Sequence, residues 1–106
     1  MSPKRVSGNQ VFVYGKNLKV YKSSESRVGI SGTFLGALVY NEEDGEFKRY
    51  LSNKGANAVV VTGEDLEVVM SSKEYVIVKG EITGITPYRV EDDEAEPMPL
   101  VYDGEV

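Results

Sequence analysis

The chain has 106 residues, with 12 Lys and Arg against 17 Asp and Glu for a formal net charge of −5, and it has no Cys, His or Trp. That length holds about one domain, and without Cys or His the disulfides, the thiolate and imidazole metal sites and the Ser-His and Cys-His nucleophile arrangements are all excluded. No enzyme, cofactor or metal site is therefore expected. No apolar run exceeds four residues (58–61) and the start, MSPKRVSGNQ, is polar, so neither a secretory signal nor a membrane span is predicted, and a cytoplasmic protein is expected.

The net charge averages two regions of opposite sign. All 12 bases lie in residues 1–89 beside ten acids, a balance of +2, whereas 90–106 hold seven acids and no base, a balance of −7. The expected division is a domain over 1–90 and an acidic tail over 91–106. Pro97 and Pro99 interrupt regular structure in that tail, and so many acids leave little apolar surface to bury, so it is expected to be disordered.

In chain order, Val11-Phe12-Val13-Tyr14 and Leu18-Lys19-Val20-Tyr21 flank Gly15-Lys16-Asn17, whose residues tolerate positive φ, and this predicts a hairpin over 10–22. A long apolar segment, 28–40, is punctuated by Gly29, Gly32 and Gly36 and predicts a strongly curved strand. Strands over 46–51 and 58–62 follow. Leu66, Val69 and Met70 are then spaced i, i+3, i+4, and Thr62 stands three residues before Asp65 as in a capping box. The spacing predicts a short helix over 64–71, with a strand as the rival because of Val68 and Val69. Two more strands, 75–79 and 82–90, are expected about Gly80. No internal repeat stands out.

A bent first strand, a meander, a helix after the third strand and a closing strand pair are the order of the OB-fold. With the "apolar, Gly, apolar" segment Val76-Ile77-Val78-Lys79-Gly80-Glu81-Ile82 and the acidic tail, the chain resembles the single-stranded DNA-binding proteins of bacteria, phages and plasmids. The resemblance implies a mainly β five-stranded OB-like barrel with one short helix, preceded by the hairpin. It also implies a homo-oligomer acting on single-stranded DNA or RNA during replication or recombination, encoded by a phage or mobile element, away from membranes.

Single strands are held by cations along the phosphates and by aromatic faces on which bases stack. Candidates are Phe47, Lys48, Arg49 and Tyr50, where alternation puts Phe47 with Arg49 on one face and Lys48 with Tyr50 on the other. Tyr14 with Lys16, then Lys19, Tyr21 and Lys22 in the hairpin, and Tyr88 with Arg89 repeat the theme. In the tail, Asp92, Asp93, Glu94, Met98, Leu100 and Tyr102 are candidates for recruiting replication or recombination proteins, or for folding back on a positive groove until nucleic acid displaces them. The rival reading is a small β-rich structural or adaptor protein of a virion or other assembly.

Overall fold

Alternating apolar residues and glycine punctuation yield strands longer than expected. In the computed structural model, which describes residues 7–52 and 56–105, the strands are β1 Gly8–Ser23, β2 Arg27–Asn41, β3 Glu46–Ser52, β4 Ala58–Ser71, β5 Tyr75–Glu91, β6 Glu94–Pro97 and β7 Leu100–Glu105. All their pairings are antiparallel. β1, β5, β4 and β2 form a closed ring, because β1 bonds to β2 as well as to β5; β3 and then β7 extend the sheet from β2, and β6 pairs with β5. The mainly β class stands, but the strands expected at 75–79 and 82–90 are one strand.

The ring is built twice. The pairing of β1 with β2 recurs in that of β4 with β5 at an offset of 48 positions (63 − 15, for Gly63 and Gly15). Tyr14 pairs with Gly36 as Thr62 pairs with Gly84, and Ser23 pairs with Val28 as Ser71 pairs with Val76. The joints between the halves are reciprocal, since Arg27 pairs with Thr62 where Tyr75 pairs with Tyr14. Between 9–40 and 57–88, 12 of the 32 aligned residues are identical, which overturns the expectation of no repeat. The core consists of equivalent pairs: Val11 and Val59, Val13 and Val61, Leu18 and Leu66, Val28 and Val76, Ile30 and Val78, Phe34 and Ile82 are all buried. Even the turns match. Ser24 N–H donates to Arg27 O and Ser72 N–H to Tyr75 O, each at 2.8 Å, and each serine Oγ accepts the returning N–H at 3.1 Å.

The repeat explains two corrections. Asn17 does adopt a positive φ, 54°, yet it does not turn the chain: Lys16 pairs with Thr33 and Lys19 with Ser31, so the predicted hairpin over 10–22 is one strand bent at a bulge. Asp65, also at 54°, makes the same bulge in β4, and the predicted helix over 64–71 is strand. Register shifts between Glu64 and Glu67 and between Val68 and Met70 insert extra residues, and this shifts the apolar period away from two and imitates a helix. Opposite the bulges, Gly32 and Gly80 have φ of 125° and 138°, and a Cβ on them would stand 2.5 Å from Asn17 O and 2.7 Å from Asp65 O. Glycine is required at both.

The third correction concerns the tail. Residues 94–97 pair with β5 and 100–105 pair with β3, so the tail is ordered through Glu105, while Val106 lies outside the described residues. Leu100 packs against the core cluster, and the main chain finds partners on two sheet edges, which together offset the acidity.

Candidate functional site

Small residues on the outer side of the ring leave room for rings to lie flat. Gly29 in β2 has no side chain, and the Tyr21 ring occupies that space, with Cζ 2.5 Å from where a Gly29 Cβ would be. Tyr21 is nevertheless 55% exposed. Beside it, Ser31 pairs with Ala58 and Ala58 with Tyr88, so two small side chains separate the two tyrosines across β2, β4 and β5. Tyr21, Arg27, Val60, Tyr88, Val90 and Ala95 line a depression of about 280 Å³. It adjoins a groove of about 670 Å³ between Tyr21, Ser31, Gly32, Ala58 and Val90.

The wall of this groove is held in place by Asn57. Its Nδ2 donates to Val90 O at 2.9 Å and its Oδ1 accepts Val90 N–H at 2.8 Å. The repeat offers an internal comparison, because Asn9 Oδ1 accepts Glu42 N–H at 2.9 Å in the other half. There Val69 stands for Tyr21, Tyr75 for Arg27, Glu42 for Val90 and Phe47 for Ala95. The site lies at a joint between the halves, and the other joint also has two tyrosines, Tyr40 for Tyr88 and Tyr75 for Arg27, but Ile77, Lys79 and Gln10 stand there in place of the small Gly29, Ser31 and Ala58.

The expected residues separate into three places. Tyr21 and Tyr88 line one depression, and Arg89 follows Tyr88 in β5, with its Nε 2.7 Å from Glu91 Oε1. Lys16, Lys19 and Lys22 are exposed along β1. Tyr14 is half-buried, with its hydroxyl against Gly36.

The tetrad lies elsewhere, on β3, where the tail strand β7 pairs beside it. Phe47 is 37% exposed and leans on Tyr40, ring centroids 4.8 Å apart. Arg49 Nε lies 2.8 Å from Asp103 Oδ2. Tyr50 packs against the core with its ring 5.4 Å from that of Tyr102, and Lys48 is half-buried. Burial raises the Tyr50 hydroxyl above its ordinary 10.0, with Tyr102 adding to the rise and the charge of Lys48 opposing it. Of the two rings, Phe47 is therefore the surface one.

In the tail, Asp92, Asp93 and Glu94 are exposed about the β5–β6 turn, whereas Met98 and Leu100 are half-buried and so do not form a free apolar tip. Sequence reading missed Arg27, which follows a polar stretch and has no aromatic neighbour in sequence. It also missed the floor of Gly29, Ser31 and Ala58, whose only signal is small size at alternate positions. Among the described residues no cluster of acidic side chains could hold a metal ion, and no helix is long and apolar enough to cross a membrane. Compared with known proteins, the chain matches no family model, no curated protein and no solved structure.

Proposed function

We propose that the chain binds single-stranded nucleic acid, with little regard to sequence, in the groove between Tyr21 and Tyr88. The observation that carries this reading is the depression that Tyr21, Arg27 and Tyr88 line together beside the small residues Gly29, Ser31 and Ala58, at one joint between the halves, where the other joint has Ile77, Lys79 and Gln10 in their place. A base is a flat ring that stacks on an aromatic face whatever its identity, while a guanidinium at the rim takes the phosphate. Lys22, exposed on the strand that carries Tyr21, extends the track, whereas Arg89 is engaged by Glu91. The tetrad on β3 is not part of this site, since its cation Arg49 and its ring Tyr50 are engaged by β7.

Kinship with OB-fold single-strand binders, a role in replication or recombination, and an origin in a phage or mobile element belong to the same proposal. So does recruitment of other proteins by the exposed carboxylates of Asp92, Asp93 and Glu94. The proposal stands on the groove rather than on the helix expected from the OB order. Fluorescence anisotropy of a labelled oligothymidine, titrated with the full chain at two salt concentrations, tests it against duplex DNA of equal length. Binding of the single strand should weaken with salt by about 0.7 in log K per decade for each phosphate contact, and the duplex should bind more weakly. Equal binding of both, or none of either, would favour the structural or adaptor reading.

A further inference from the structure

The repeat makes the two halves alike inside and opposite along one edge. Lys16 and Lys19 in β1 stand where Glu64 and Glu67 stand in β4, and all four are exposed. None of the four has an ion-pair partner among the described residues.

The main chain opens just past Lys16 and Glu64, so that Lys19 and Glu67 stand at the start of two open edges. β1 pairs with β2 as far as Ser23, but with β5 only over 8–14, and the last bonds on that side are Gly15 N–H to Glu74 O and Leu18 N–H to Lys73 O. β4 does the same: it pairs with β5 as far as Ser71, but with β2 only over 58–62, and the last bonds are Gly63 N–H to Ser26 O and Leu66 N–H to Glu25 O. Residues 19–23 and 67–71 are therefore two sheet edges without a neighbouring strand among the described residues. Val69 and Met70, 45% and 48% exposed, leave the second edge without a blocking charge or proline along its outer part. An open edge of this kind is a template for another strand.

We propose that copies of this chain associate through these two edges, with β1 of one copy laid parallel to β4 of the next, so that Lys16 and Lys19 come beside Glu64 and Glu67. The charges decide which edges meet. β1 on β1 sets Lys16 and Lys19 against lysines, β4 on β4 sets Glu64 and Glu67 against glutamates, and only β1 on β4 is attractive. Main-chain hydrogen bonds along the joined edges supply affinity, and the lysine-glutamate pairs select the partner. Each copy carries one edge of each kind, so the contact is heterologous and repeats until a ring closes or a filament forms. The occupant is a second copy because the chain itself holds both complementary surfaces. The inference does not rest on the groove: Tyr21 and Lys22 lie within the open β1 edge, but the charges that select the partner are Lys16, Lys19, Glu64 and Glu67.

Sedimentation of the full chain over a range of concentrations tests it, with two variants checked by circular dichroism for an unchanged fold. K16E/K19E carries acids on both edges and E64K/E67K carries bases on both. The wild type should associate with rising concentration, and added salt should oppose this. Each variant alone should need about tenfold or more higher concentration to associate, and an equimolar mixture of the two should associate again. A wild type that stays monomeric, a variant that associates as the wild type does, or a mixture that stays monomeric would each overturn the proposal.

Discussion

Asn17 and Asp65 occupy the same place in the two halves of the ring, and each carries a φ of 54° opposite a glycine of positive φ. The bulges they form bend β1 and β4 just past the stretch in which each strand has two neighbours, beyond which, among the described residues, β1 keeps only β2 and β4 only β5.

Gly32→Ala and Gly80→Ala should therefore cost about 1 to 3 kcal/mol each, because a side chain at φ of 125° or 138° is strained and its Cβ meets a carbonyl oxygen. Urea denaturation should give two losses of similar size. A large loss at one position and none at the other would mean that the halves are not equivalent in mechanics.

The tail should be held by packing more than by charge. Arg49 and Asp103 are both well exposed, with side chains at 44% and 39%, so Asp103→Ala should cost about 0.2 to 1 kcal/mol. Tyr102→Ala removes the ring beside Tyr50 and should cost about 0.5 to 1.5 kcal/mol for the ring pair, plus the apolar area lost. Hydrogen exchange should find protected amides among residues 100–105 in the wild type and faster exchange there in Tyr102→Ala.

The raised Tyr50 hydroxyl gives a pH dependence of definite sign. The folded state holds this proton more tightly than the unfolded state does, so the stabilisation is complete below pH 10.0 and is lost as pH rises toward the folded value. Midpoints of urea unfolding taken upward from neutral pH should fall more steeply above about 10 in the wild type than in Tyr50→Phe. Parallel curves would show that Tyr50 titrates alike in both states.

Much of the β character was legible in residue type, and the reasons for the misreadings are local. Gly15-Lys16-Asn17 correctly signalled positive φ, but the same chemistry serves a turn or a bulge, and only the partner strand distinguishes them. Leu66, Val69 and Met70 imitated a helix because two bulges broke the alternation of a strand. The repeat is faint in the sequence because the positions it keeps, such as Val28 with Val76 and Leu18 with Leu66, are ordinary core residues. The exposed positions that would catch the eye differ, with Lys16 against Glu64 and Tyr21 against Val69. The seven acids of the tail outweighed Leu100 and Tyr102 in composition, yet those two side chains reach the core and Tyr50. The meeting of Tyr21 with Tyr88 needs the register of β2, β4 and β5, which no local pattern carries.

The repeat also supplies the most direct measurement of the central claim, because Val69 is the positional twin of Tyr21 on the other half. Affinity for oligothymidine should be compared for Tyr21→Ala and Val69→Ala at one salt concentration. The groove between Tyr21 and Tyr88 predicts that Tyr21→Ala loses about 1 to 3 kcal/mol of binding free energy through lost stacking, while Val69→Ala binds as the wild type does. Equal affinities in the two variants, whether both intact or both reduced, would contradict it.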